Sequence, residues 1–125
     1  MEFSELLGKT LVSVEVSELK DEILFVTSDG DRFMQYHSQD CCEGVAVEEV
    51  VGDFGDLLGE PILMAEEVVH VGETPEGVPT PEYSDESFTW TFYKVATIKG
   101  AVTIRWYGSS NGYYSESVEM RKLRA

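Results

Sequence analysis

The 125-residue chain has only two cysteines, and they are neighbours, Cys41 and Cys42. Adjacent cysteines cannot clip distant segments together, so no disulfide framework staples the fold. The expectation is a reduced protein held by its core, which 42% hydrophobic residues can supply for one domain. No run approaches the ~18 apolar residues of a membrane span. The opening residues, MEFSELLGK, lack the basic-then-apolar pattern of a signal peptide. These absences point to a cytoplasmic protein with no membrane partner. Basic residues are scarce too: none lies between Phe33 and Tyr93, against fourteen acids, and the net charge is −15. Such an excess repels phosphates at long range and argues against general nucleic-acid binding. It suits a solvated face, or a surface that imitates DNA and binds a basic patch on a host protein. Missing as well are G-x-x-x-x-G-K-[ST], G-x-G-x-x-G, H-E-x-x-H and G-x-S-x-G. No cofactor is therefore expected.

What the chain does have is alternation with period two, the mark of half-buried strands. It predicts strands over 10–16, 22–28, 32–37, 45–51 and 62–71, then a meander over 88–98, 101–107 and 114–120. Asp29-Gly30, Lys99-Gly100 and Asn111-Gly112 punctuate them as tight turns. Asp53, Gly59 and Pro61 bound one short helical turn, and Gly8 stops another over 4–7. Residues 72–87 hold three of the four prolines and five acids, and read as a flexible loop. The expected fold is a β-rich α+β protein. Residues 1–125 form a single antiparallel domain, a sandwich or half-barrel meander, with one or two short helices.

The two meander turns set the charges of the last three strands against one another. With Lys99-Gly100 as a two-residue turn, Lys94 faces Arg105, Phe92 faces Tyr107 and Tyr93 faces Trp106. Asn111-Gly112 then puts Val118 opposite Arg105 and Glu116 diagonal to it. Facing like charges are unfavourable and call for an anion. Glu116 can provide it within the fold, leaving Lys94 to solvent. Alternatively, Arg105 and Lys94 hold a small anionic, nucleotide-like ligand, with Trp90, Phe92, Tyr107 and Tyr114 as stacking planes. The opposite face, Val95, Val102, Ile104 and Trp106, reads as core.

Residues 36–44, YHSQDCCEG, form a second candidate cluster: His37, Asp40, Cys41, Cys42 and Glu43. As a zinc site its spacing is poor, because ligand pairs are usually two to four residues apart on two segments. No metal is expected. As a thiolate–imidazole pair, His37 and Cys41 stand ~13 Å apart in a strand unless the chain turns, and the surrounding acids disfavour a thiolate. The plainer reading is a strand end. There the cysteines pack as small apolar groups, and Ser38, Gln39, Asp40 and Glu43 bond backbone at a tight bend.

Two long stretches, YHSQDCCEGVAVEEVVGDFGDLLGEPILMAEE and WTFYKVATIKGAVTIRWYGSSNGYYSESV, resemble a family of short bacteriophage and prophage proteins classed as a domain of unknown function. The resemblance covers about 31–119. It implies a viral accessory protein in a bacterial host cytoplasm, with counter-defence as its setting, and carries over no site residue. The expectation from the whole sequence is a non-enzymatic binding protein. It captures a small anion on the Arg105 face or, alternatively, inhibits a host protein through acidic residues 33–93. A metal or cysteine enzyme centred on His37–Glu43 is the weakest alternative.

Overall fold

The computed structural model describes residues 2–78 and 87–123. Eight strands are present among them: β1 (Leu11–Val16), β2 (Glu22–Thr27), β3 (Arg32–Tyr36), β4 (Gly44–Val51), β5 (Met64–Val71), β6 (Ser87–Thr97), β7 (Gly100–Ser110) and β8 (Glu119–Leu123). Two 3-10 turns, Phe3–Leu6 and Phe54–Leu57, are the helical elements. The Asp53 carboxylate caps the second by accepting from Gly55 N–H, the cap its position in the sequence predicts. The strands form two four-stranded antiparallel sheets, ordered β1-β2-β3-β8 and β4-β7-β6-β5. This is the β-rich single domain expected, in its sandwich form. Of the expected loop, residues 72–78 are described, and 79–86 lie outside the described residues.

Alternation decides which side chains enter the space between the sheets. Phe25 and Phe33 from the first sheet meet Tyr93, Val95, Val102, Ile104 and Trp106 from the second in one buried cluster. Each fully buried apolar side chain of this kind contributes roughly 1.5–3 kcal/mol. One inward position is polar: Gln35 is fully buried, and its Oε1 accepts the Trp106 Nε1–H at 2.7 Å. An indole N–H left unpaired there would carry a desolvation penalty, so the strand keeps an amide where a hydrocarbon would otherwise sit.

The last strand departs from the expected meander. Thr97 pairs with Gly100, so the two-residue turn is Ile98-Lys99. That register sets Phe92 against Arg105, Trp90 against Tyr107 and Lys94 against Thr103. Lys94 and Arg105 therefore do not face each other. A Cβ on Gly100 would stand 2.7 Å from the Asp56 carboxylate, so a larger residue there would push that side chain aside. Past β7, Asn111-Gly112 does turn the chain, with Gly112 at φ +94° and Asn111 Oδ1 accepting from Tyr113 N–H at 3.0 Å. The strand after it nevertheless pairs with β3 of the other sheet. The reason is occupancy: β4 already holds the free edge of β7. Gly108 permits the crossing, since a Cβ there would stand 2.9 Å from the Glu116 carbonyl oxygen.

Candidate functional site

The outer face of the second sheet gathers the residues singled out in the sequence, with different partners. Trp90, Phe92, Lys94, Arg105 and Tyr107 share this face, opposite Tyr93, Val95, Ile104 and Trp106. Arg105 is 8% exposed. A register shift between Val47 and Glu49 on β4 brings both neighbouring carboxylates to it. Arg105 Nε donates to Glu48, and Nη2 donates to Glu49 at 3.0 Å. Its guanidinium lies 5.8 Å from the Trp90 ring. Trp90 is itself buried and donates its Nε1–H to Thr74 Oγ1 at 3.1 Å. Phe88 and Tyr107 stack, and Tyr107 also meets Trp90 at 4.6 Å. The face is thus an aromatic layer with its arginine already matched by two carboxylates. Lys94 is exposed and has Glu66 of β5 as its other cross-strand neighbour.

Glu116 and Tyr114 are not on that face. Glu116 is buried, accepting from Thr89 Oγ1 at 2.7 Å and Ser110 Oγ at 2.6 Å. It serves the crossing segment and leaves Arg105 to β4. Tyr114 is half-buried and lines a small cavity with Cys42, Ser109 and Asn111.

The chain does turn between His37 and Glu43, and Glu43 is the hub of the turn. Its buried carboxylate accepts from His37 Nε2 at 2.8 Å, Asp40 N–H at 2.9 Å and Cys41 N–H at 2.8 Å. The His37 bond, reinforced by these backbone donors, holds the Glu43 carboxyl down at about 2. His37 Nδ1 meets the Ser117 carbonyl at 2.6 Å, tying the bend to the crossing segment. Both imidazole nitrogens are engaged, and neither partner is a thiol. Cys41 and Cys42 are exposed and joined to each other in a disulfide. That replaces the expected picture of reduced cysteines packed as small apolar groups. Asp40 is exposed. Among the described residues no three His, Cys, Asp or Glu side chains gather as metal ligands.

A third region was not singled out in the sequence. Pairing of β8 with β3 brings the C-terminal strand beside the N-terminal 3-10 turn. A cavity of about 460 Å³ there is lined by Glu5, Lys9, Phe33, Arg121 and Lys122. Three cations meet on a chain of net charge −15. Lys9 Nζ stands 5.6 Å from the Phe33 ring, and the Arg121 guanidinium 5.1 Å from the Tyr36 ring. Lys122 is exposed and reaches Asp31 at 3.4 Å. Arg121 and Lys9 form no ion pair among the described residues. Burial pushes the Tyr93 hydroxyl well above its ordinary range, and the Glu67 carboxylate adds to this; the hydroxyl donates to the Val118 carbonyl at 3.4 Å. One signal was visible in sequence: six basic residues follow Tyr93, against two acids. The meeting of two of them, Arg121 and Lys122, with Lys9 required knowing which strand β8 joins.

The fold defines an all-antiparallel β-sandwich domain, with one closed aromatic face and one open, cation-lined flank. The chain belongs to the family described as domain of unknown function DUF7448, whose model matches residues 4–120. No curated protein and no solved structure matches it.

Proposed function

We propose that this is a non-enzymatic binding protein that captures a small phosphate-bearing anion. The observation that carries the reading is the convergence of Lys9, Arg121 and Lys122 on one cavity of an otherwise acidic molecule. The chemistry is that expected for the Arg105 face, moved to a place where Lys9 and Arg121 form no ion pair among the described residues, while Lys122 reaches Asp31. An arginine presents a bidentate fork to phosphate oxygens and the lysines add point charges. At Arg105 an anion would have to displace Glu48 and Glu49. A binding role also accords with His37, whose two nitrogens are spent on structure. The likeness to phage proteins suggests a purpose, sequestering a signal in a bacterial host as counter-defence.

Calorimetry with phosphate, pyrophosphate and a nucleotide panel tests the reading. Arg121→Ala should weaken binding by roughly 1.5–3 kcal/mol, as for a lost hydrogen bond to a charged group. Arg105→Ala should leave it within about threefold. Dependence on Arg105 and not on Arg121 would return the site to the aromatic face. No binding by the unaltered protein would favour the second reading, a protein partner on the acidic surface. Its support is β5, an edge strand where Glu66, Glu67, Val69 and Val71 are all exposed.

A further inference from the structure

The two sheets end in β1, β4, β5 and β8, and a sheet edge offers backbone donors and acceptors that can capture another chain. Three of these edges are blunted. The β1 register breaks between Leu11 and Ser13, and Pro61 and Leu58 bridge to Thr10 and Leu11 beside it. The β4 register shifts between Val47 and Glu49, and the Lys20 carbonyl takes the Val47 N–H at 2.7 Å. β8 is five residues long and carries Arg121 and Lys122. β5 differs. Its register with β6 runs unbroken from Met64 to Val71, and its sequence, MAEEVVHV, holds neither lysine nor proline. In that same register Gly72 N–H donates to the Phe88 carbonyl at 2.8 Å. Ladder bonds alternate along an antiparallel pair. The backbone groups of Glu66, Val68 and His70 therefore point at β6, and those of Glu67, Val69 and Val71 point away. Among the described residues no backbone bond reaches the latter three. Their side chains lie on the inner face, in register with Tyr93, Thr91 and Thr89. Cover there is incomplete: Val69 is 48% and Val71 72% exposed. Beside them runs a cavity of about 240 Å³, walled by Val69, Val71, Thr91, Ser115, Ser117 and Val118.

We infer that β5 receives an extended, basic segment of a partner protein as an added strand alongside Glu67, Val69 and Val71. The inference rests on the protein-partner reading, names the form of that partner, and is independent of the cationic cavity. Main-chain bonds supply the affinity in such an addition, and alternate side chains supply the selectivity. The side chains of the added strand alternate as those of β5 do. Its inward ones meet Val69, Val71 and the cavity, which suits valine or isoleucine. Its outward ones stand beside Glu66, Val68 and His70, where the exposed Glu66 carboxylate accepts a lysine or arginine across the strands. Lys94 stands on the far side of Glu66, one strand further from the added chain. Glu67, Glu73 and Glu76, all exposed, extend the acidic field along the same edge. Charge also decides against a second copy of this chain, which would bring the same glutamates and another net −15. The glutamates of β5 thus repel an acidic strand and admit a basic one.

The test is fluorescence anisotropy on the full chain with a short synthetic peptide that alternates valine and lysine. Two controls accompany it: the same peptide with glutamate for lysine, and an analogue N-methylated along its backbone. The analogue keeps the charge and side chains but donates no backbone hydrogen bond. The valine–lysine peptide should bind, the glutamate peptide should not, and the analogue should bind at least about tenfold more weakly. Val69→Pro removes an N–H that pairs with nothing among the described residues, a substitution an edge strand tolerates. It should weaken the peptide by a similar factor, with circular dichroism showing that the fold is kept. If that variant does not fold, the N-methylated comparison decides on the unaltered chain. Equal binding of peptide and analogue would leave the acidic-surface reading standing and overturn strand addition. Binding of neither would overturn both. A dimer of the unaltered protein that Val69→Pro abolishes would make a second copy the occupant and overturn the basic partner.

Discussion

Arg105 and Arg121 both sit on strands with a guanidinium near an aromatic ring, at 5.8 Å from Trp90 and 5.1 Å from Tyr36. Their surroundings are opposite. Arg105 lies on an inner strand of its sheet, with β4 delivering two carboxylates to it. Arg121 lies on an edge strand, with no carboxylate paired to it among the described residues and a cavity on each side. The difference teaches that a basic–aromatic pair in a sequence does not announce its role. On an inner strand a neighbouring strand can neutralise the charge, whereas at an edge the same pair can stay without a carboxylate partner.

Stability should separate the two arginines most strongly. Arg105→Ala leaves Glu48 and Glu49 without their partner and opens space beside Trp90. It should destabilise by about 1–3 kcal/mol, short of a fully buried pair because both glutamates keep solvent contact. Arg121→Ala should cost less than about 1 kcal/mol, as exposed charges usually do. Urea titrations of the two variants decide the matter, and equal losses would erase the distinction between a structural and an available arginine.

The acid limb of stability provides a finer comparison, between Glu43 and the surface carboxylates. The folded-state value of Glu43 is depressed, about 2 against an ordinary 4.5. Its contribution is therefore fully present above pH 4.5 and lost as pH falls through the window between the two values. Glu43→Gln should flatten the pH dependence of Tm within that window. Glu66→Gln, on an exposed position of β5, should leave the dependence as it is. Parallel acid limbs in unaltered and Glu43→Gln protein would show that the hub does not govern acid stability.

Reduction should move stability least. The Cys41–Cys42 bond joins neighbours, so it closes no loop and barely restrains the unfolded chain. Tm should shift by less than about 2 °C with reductant and chelator together. A larger fall on reduction would make the disulfide a structural element of the bend, and a fall in chelator alone would reveal a metal.

Much of this protein was legible from local rules. Period-two alternation located the first seven strands and identified which face of β6 and β7 is core, because side-chain direction in a strand follows from the pleat alone; the last strand, expected over 114–120, lies instead at Glu119–Leu123. Asp53 declared a cap, and residues 37–43 declared a bend. Other features were legible only in part. Lys99-Gly100 marked a turn, but a shift of the loop by one residue changed every facing pair, since register depends on what packs beside the turn. In this case that neighbour is the Asp56 carboxylate against Gly100. The destination of β8 was not legible at all. Asn111-Gly112 has the local chemistry of a hairpin, and nothing local reveals that β4, some sixty residues earlier, already fills the adjacent edge. The sequence by itself thus determined the strands, their faces and the acidic character, which follow from neighbours along the chain. Only the tertiary structure decided that Glu48 and Glu49 claim Arg105, and that Lys9 meets Arg121 and Lys122. Those meetings depend on strand order, and strand order is settled by competition among distant segments for the same hydrogen-bonding edge.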